Sequence, residues 1–353
     1  MPACGYLRAT LSATLVATGL AGVASAQSLV APFDQAYTLT NLGSIGDVPT
    51  PYGGLTIKFD DPMTLLIGGA ANGPSGALYA VPLTRDAQGH ITGFAGPGVY
   101  FASAEYNDGG VCYGPGNVLF CARWPVNGLG QYRVGSAAPD RVDDLAIRGV
   151  EGALASINFP PPGFPGGGLM KLCSWSGGQW SSASISPDGN GTFNIDSVTI
   201  IPDSRLPGGP EGFTYPAPGS PGFANFSMLV SEYSAGQVTV FDLDSNGDPI
   251  VSSRRVFITG LIGAEGANID PVTGDYLFST FGGGNQVVVV TGFARPCAPD
   301  FNADGNLDPD DLSDYIACYF EMPPCTRADY NSDFNTDPDD LSDYIADFFN
   351  GCA

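Results

Sequence analysis

Through residues 27–293 apolar positions come in short runs of β-branched and aromatic residues, cut by turns rich in glycine and proline, with almost no helical spacing. This pattern predicts a mainly β architecture. A weak internal repeat runs through it. LMKLCSW, SMLVSEY and DYLFSTF align as strands, and each leads into a turn: SWSGGQW from Ser174, SEYSAGQV from Ser231 and STFGGGNQV from Ser279. The dipeptides Glu151-Gly152, Glu211-Gly212 and Glu265-Gly266 open successive units, and Gly53-Gly54 and Gly109-Gly110 open the first two. Outer turns recur as DAQGHI from Asp86 and DSNGDPI from Asp244. A spacing near 50 residues with about four strands per unit predicts a β-propeller, in which each blade buries its faces only by stacking on its neighbours. Five units can be counted, and six blades stay open because irregular blades hide easily; a β-sandwich or β-helix is the competing architecture. AYTLTNLG, near residue 36, could supply a strand that closes the ring. Two prolyl loops, PPPGFPGGG and PAPGSPGF, fall at equivalent places in consecutive units, where a binding surface could be built.

The pattern changes after residue 293. DFNADGNLDPDDLSDYIACYF from Asp300 and DYNSDFNTDPDDLSDYIADFF from Asp329 share ten identical consecutive residues. Calcium is served by a twelve-residue loop with oxygen ligands at positions 1, 3, 5, 7, 9 and 12. The first loop offers Asp300, Asn302, Asp304, Asn306 through its carbonyl, Asp308 and Asp311. The second offers Asp329, Asn331, Asp333, Asn335, Asp337 and Asp340. Without a cation the carboxylates would repel one another by about 1 kcal/mol per pair at 4 Å even in bulk water. Two calcium ions are therefore expected. Behind each loop, Leu312, Tyr315, Ile316, Tyr319 and Phe320, then Leu341, Tyr344, Ile345, Phe348 and Phe349, recur at helical spacing. Pro309 and Pro338 suit the first helical turn. The two short helices are expected to pack face to face.

Prolines precede both loops, leaving no room for a leading helix, so these are loop-helix units. The segment resembles dockerins, and with Cys297 at its start and Gly351-Cys352 at its end it is similar to the GC-type. The resemblance implies calcium-dependent folding and docking onto a cohesin-like or cell-surface partner. Two departures bear on this. Phe334 stands where the first loop has Gly305, which predicts a weaker or altered second site. Positions 10 and 11, often receptor contacts in dockerins, are Pro-Asp in both copies. The expected disulfides are Cys297–Cys352, closing the ends of the helix pair, and Cys318–Cys325.

The expected organisation is a signal peptide over 1–26, a propeller over 27–293 and a dockerin-type module over 294–353. Arg8, an apolar stretch and Ala24-Ser25-Ala26 form the export pattern, so the mature chain is expected near Gln27, outside the cell and attached to its surface if the docking partner lies there. No later apolar run is long enough to span a bilayer. Export favours pairing of cysteines; Cys112 and Cys121 could meet across a strand-turn-strand, leaving Cys173 as a buried small hydrophobe. The net charge is −23, of which residues 297–352 hold −13. Such a surface repels nucleic acid and anionic membranes.

Catalytic signals are sparse. His90 is the only histidine, which excludes histidine-clustered metal centres, and neither G-x-S-x-G nor a phosphate-binding glycine loop is present. Glu151, Glu211 and Glu265 remain as candidates: if they start innermost strands they converge on the axis, where acids hold a metal or act as a base. The simpler alternative is that Glu-Gly marks a turn. Asp270 is read as a turn former. The region resembles NHL-like and SMP-30-like propellers in a general way, and the latter resemblance implies a central calcium. Two functions are open. One is a non-catalytic binding propeller, with a carbohydrate a possible ligand, anchored by the C-terminal module. The other is an anchored carbohydrate-active hydrolase, lyase or lactonase.

Overall fold

The structure is a computed structural model that describes residue 1 and residues 27–161, 163–295, 297–302, 306–322, 324, 328–330 and 336–352. Among the described residues the strands form five antiparallel sheets, the blades of a five-bladed propeller. Blade 1 runs Leu55–Lys58, Asp61–Gly69, Ala77–Arg85 and Ile91–Phe94, with Val99–Ser103 also on its third strand. Blade 2 runs Asn107–Tyr113, Leu119–Arg123, Gly128–Tyr132 and Arg141–Asp144. Blade 3 runs Leu154–Asn158, Met170–Ser174, Trp180–Pro187 and Phe193–Ile201. Blade 4 runs Pro210–Thr214, Ser227–Glu232, Gln237–Asp242 and Arg255–Thr259, and Ser28–Leu29 adds an outer edge. Blade 5 runs Ala264–Ile269, Tyr276–Thr280 and Val287–Thr291, and the early strand Thr38–Gly43 completes it. The ring thus closes through the segment that the sequence marked for that purpose.

Strand alternation explains the core. Successive side chains leave opposite faces of a sheet. In blade 5, Tyr276, Phe278, Val288 and Val290 pack against blade 4, while Leu277, Val287 and Val289 pack against blade 1. Each of the five blade interfaces has its own apolar layer. The same alternation forbids a Cys112–Cys121 disulfide. Cys112 faces Phe120 across the ladder and Cys121 faces Val111, so the two thiols leave opposite faces into different layers. Both are free and buried, as is Cys173.

Three outer hairpins share one design. The Oδ1 atoms of Asp86, Asp188 and Asp244 each accept two backbone N–H groups, those of residues two and four further on. Each hairpin then reaches a neighbouring blade. Beside the first, Arg85 pairs with Asp270 and the His90 ring bonds Asp275, both in blade 5. After the second, Phe193 exchanges backbone bonds with the Gln131 side chain of blade 2. In the third, Asp248 accepts from Lys171 and Trp180 of blade 3. Asp270 also accepts from Val272 N–H and the Thr273 hydroxyl within its turn.

Two helices follow, α1 (Pro309–Tyr319) and α2 (Pro338–Asn350). Each begins with a proline and a reciprocal capping box, Asp308 with Asp311 and Asp337 with Asp340. Tyr315 and Tyr344 stack at 3.8 Å between ring centroids, with Phe301 and Tyr330 edge-on to both. The buried stripe is narrower than the periodicity suggested. Tyr315 and Tyr344 are buried, while Ile316, Phe320, Ile345 and Phe349 are exposed, because a contact between two short helices covers only one line of side chains. Cys297 and Cys352 form the expected disulfide. Cys318 is also disulfide-bonded; Cys325, its expected partner, lies outside the described residues. Among the described residues no helix is long and apolar enough to cross a membrane.

Candidate functional site

Four blades repeat one connection at the same end of the axis. The residue after the second strand is Trp124, Trp175, Tyr233 or Phe281. Its N–H bonds the carbonyl of Tyr106, Ala153, Gly209 or Gly263, just before the innermost strand of the same blade. In blade 1, Ala71 N–H bonds Pro51 in the same way. Two residues beyond each of these carbonyls is an equivalent axial position. Those positions hold Gly53, Asp108, Ala155, Glu211 and Glu265.

At this point the strand pairing slips in blades 2 to 5, between Asn107 and Val111, Leu154 and Ser156, Pro210 and Phe213, and Ala264 and Ala267. A bulge of this kind bends its strand and re-aims a side chain, here toward the axis. The next positions are all small: Gly54, Gly109, Ser156, Gly212 and Gly266. A Cβ on Gly109 would lie 2.8 Å from Gly212 N, and one on Gly266 would lie 2.7 Å from Gly54 Cα. Only glycine lets these strands approach so closely, and their backbones form a floor under the acids.

Asp108, Glu211 and Glu265 consequently meet. All three are buried, and each offers an oxygen within 4.8 Å of the others. The Asn72 amide, oriented to suit its neighbours, donates to Asp108 Oδ1 at 2.9 Å. Asp108 Oδ2, Glu211 Oε2 and both Glu265 oxygens have no hydrogen-bond partner outside the cluster. Burial pushes the Asp108 carboxyl up to about 8, against opposing hydrogen bonds. Burial, then the charge of the neighbouring acids, raises Glu211 and Glu265 well above the ordinary carboxylate range. Three closed-in carboxylates cannot all stay ionised unaided; they must share protons or hold a cation. The donor set is all hard oxygen, which suits calcium or magnesium.

Two of the three carboxylates expected at the axis are therefore present, and the third is elsewhere. Glu151 lies four residues before its blade's axial position, Ala155. It is exposed and pairs with Arg205 at 3.0 Å. Its Glu-Gly dipeptide is a turn with Gly152 at φ +62°, not a strand start. Asp108 was hidden by the reading of Gly109-Gly110 as a glycine pair. Read one residue earlier, Asp108-Gly109 matches Glu211-Gly212 and Glu265-Gly266.

The opposite end of the axis holds a cavity of about 710 Å³. The two prolyl loops line it through Phe164, Tyr215 and Pro218, and the segment entering the C-terminal unit adds Arg295 and Cys297. Its walls carry aromatic rings, hydroxyls and amides, with Arg295 and Asp300 on the C-terminal side, whereas the three clustered carboxylates lie at the other end. His90, the lone histidine, is 32% exposed on its side chain and bound to Asp275 at the perimeter.

In the C-terminal loops, Asp311 and Asp340 are fully buried. Asp311 accepts from the N–H groups of Asn302 and Asp308, and Asp340 from those of Tyr330 and Asp337. The last acid of each loop thus folds the loop back onto its helix. Asp300, Asn306 and Asp329 are also described. Asp304, Asn331, Asp333 and Asn335 lie outside the described residues, as do Gly305 and Phe334.

No family model and no curated protein sequence matches the chain. Several solved structures are similar to it at low identity. A protein described as a 6-phosphogluconolactonase from Bacteroides uniformis is 17% identical, with 70% of this chain and 69% of that chain covered, at a TM-score of 0.38. The PQQ domain of pyranose dehydrogenase from Coprinopsis cinerea is 11% identical over 75% and 97%, at 0.39. An auxiliary nutrient binding protein from Bacteroides ovatus is 9% identical over 72% and 76%, at 0.38. They include enzymes and a binding protein, and the fold of this chain rests on its own strand order.

Proposed function

We propose that the propeller is a divalent-cation-dependent, carbohydrate-active enzyme of lactonase type, tethered by a calcium-organised C-terminal module. The convergence of Asp108, Glu211 and Glu265 at one end of the axis carries this reading. These residues would hold the cation, Asn72 would orient Asp108, and the glycine floor would keep water from the far side. A bound divalent cation would polarise a carbonyl oxygen and lower the pKa of a bound water. Both effects would favour hydrolysis of a sugar lactone, and among the described residues no serine, cysteine or histidine machinery competes for the role.

The tether has its own support. The loop acids of the two repeats would hold two calcium ions. The exposed pairs Ile316–Phe320 and Ile345–Phe349 repeat at the same offset on α1 and α2. They offer equivalent apolar faces to a cohesin-like partner. The export signal would place the assembly outside the cell.

A second reading is favoured by one observation: the unpartnered carboxylate oxygens are closed to solvent. A cation enclosed in this way would pin blades 2, 4 and 5 together, and the propeller would bind rather than cleave. Titrating the full chain calorimetrically with calcium, alongside a lactone-hydrolysis assay, separates the two. The enzyme reading expects Glu265→Gln to abolish one cation site and cut hydrolysis by about 100-fold or more, whereas Asp196→Asn on the outer edge of blade 3 changes neither. Hydrolysis that survives Glu265→Gln undiminished defeats it; a cation site with no hydrolysis at all supports the second.

A further inference from the structure

The aromatic residues that follow the second strands have no part in the blade interfaces described above. Trp124, Trp175, Tyr233 and Phe281 are half-buried and take equivalent places in four blades. Each is tied to a carbonyl two residues before an axial position, so they ring the end of the axis that holds the acids. Two of them cross toward the next blade. The Trp175 indole nitrogen lies 3.0 Å from where a Cβ on Gly209 would be, and Tyr233 Cε2 lies 3.1 Å from where one on Gly263 would be. Both glycines have positive φ, +69° and +67°. They stand two residues before Glu211 and Glu265, so the rings occupy space beside the acids that any other residue would fill. Phe281 meets Tyr233 edge to face at 5.8 Å. Burial, then the charges of Glu265, Glu211 and Asp108, raise the Tyr233 phenol above its ordinary value.

The rim beside this collar is polar. Arg205 bonds the carbonyl of Gly177, in the turn that carries Trp175, and pairs with Glu151, with about half of each side chain exposed. Aromatic faces next to a charged, half-exposed pair, over a floor of hard oxygen ligands, match one chemistry. A sugar ring has an apolar C–H face that stacks on an aromatic ring, and hydroxyls around its edge that need donors and acceptors. A purely apolar ligand would strand Arg205 and Glu151, and a purely ionic one would leave the rings unused.

We propose that this collar is a sugar-ring subsite, with Trp175 and Tyr233 as its walls and Arg205 and Glu151 as its polar edge. The proposal deepens the enzymatic reading by placing the sugar ring against named side chains, and it rests on that reading for the cation beneath. It gives Glu151 a place at the site, at the edge instead of the axis.

Binding of D-glucose, D-galactose and D-xylose to the full chain, with cyclohexanol as an apolar ring control, tests the subsite. Saturation-transfer NMR and tryptophan fluorescence read it out without any turnover. At least one sugar should bind and cyclohexanol should not. Trp175→Ala and Tyr233→Ala should each weaken binding by about tenfold or more, while Trp175→Phe and Tyr233→Phe, which keep a ring and guard against misfolding, should stay within about threefold of the natural chain. Calcium binding at the axial acids, followed in the same samples by calorimetry, should persist in all four variants. Sugar binding unchanged in both alanine variants overturns the subsite. So does a chain that takes up calcium at the axis but binds none of the sugars, and that result leaves the cation centre standing. Sugar binding without lactone hydrolysis keeps the subsite and removes the enzymatic reading.

Discussion

Lys171 Nζ lies 2.8 Å from Asp248 Oδ1, and both side chains are almost completely shut off from water. The lysine also donates to the Ser182 hydroxyl and to the Asn246 carbonyl, while Trp180 donates to the same carboxylate. The pair therefore sews the outer hairpin of blade 4 to the middle of blade 3. Removing one partner leaves the other charge buried and uncompensated. Lys171→Met should cost about 3–5 kcal/mol of stability, and the double variant Lys171→Met/Asp248→Leu clearly less. Urea unfolding followed by far-UV circular dichroism measures both; a single variant as stable as the natural chain refutes the account.

The blade 2–3 seam is sensitive to acid. The Thr192 hydroxyl and nearby backbone N–H groups hold the Asp188 carboxyl down at about 2, and Arg133 does the same for Asp140, also at about 2. A carboxylate depressed by folding stabilises fully above its unfolded value, near 4, and that contribution fades as pH falls toward 2. Asp188→Asn should thus be less stable than the natural chain at pH 6, and most of the difference should be gone by pH 2. Thermal unfolding across that range would show the convergence, and a constant gap would contradict it.

The three propeller thiols should be inert. Burial pushes the Cys121 thiol up to about 12 and raises Cys112 and Cys173 well above the ordinary thiol range. Iodoacetamide at pH 8 is expected to leave all three unmodified in the folded chain and to label all three in guanidinium without reductant. Mass spectrometry distinguishes this from a Cys112–Cys121 disulfide, which would remain unlabelled in both.

The two acidic loops should be coupled through a pair of crossed tyrosines, so that a cation held by one is felt by the other. Tyr344 of α2 donates to the Pro299 carbonyl, beside Asp300 of the first loop; Tyr315 of α1 donates to the Ala328 carbonyl, beside Asp329 of the second. Tyr344→Phe should weaken calcium at the first loop more than at the second and destabilise the helix pair by about 0.5–1.5 kcal/mol. Calorimetry on the full chain, with Asp340→Asn to silence the second loop, resolves which site has changed.

The blade count, the closing strand and the Cys297–Cys352 link were legible because each rests on a period or on spacing along the chain. The axial site was half legible. Glu211 and Glu265 stand before a glycine at the start of their units, and so does Asp108, but a neighbouring Gly-Gly pair drew the register one residue late. Glu151 imitated the motif without occupying the position, since what sets the axial position is the bond from the residue after the second strand, a contact across 18 to 24 residues. The pairing of Lys171 with Asp248 had no sequence signal either: 77 residues separate them. The Asp86 and Asp244 hairpins were visible as turns, but which blade each would grip depends on the ring.

The strand Thr38–Gly43 finishes the sheet whose other members end at Thr291. The fold is therefore a loop with a latch. Until the last blade has left the ribosome the early strand has nothing to pair with, and blades 1 to 4 wait as an open arc with an uncovered face at each end. Cutting the chain between Gly43 and Leu55 would free that latch without touching any acid at the axis, so the ring should loosen at the blade 5–blade 1 seam first.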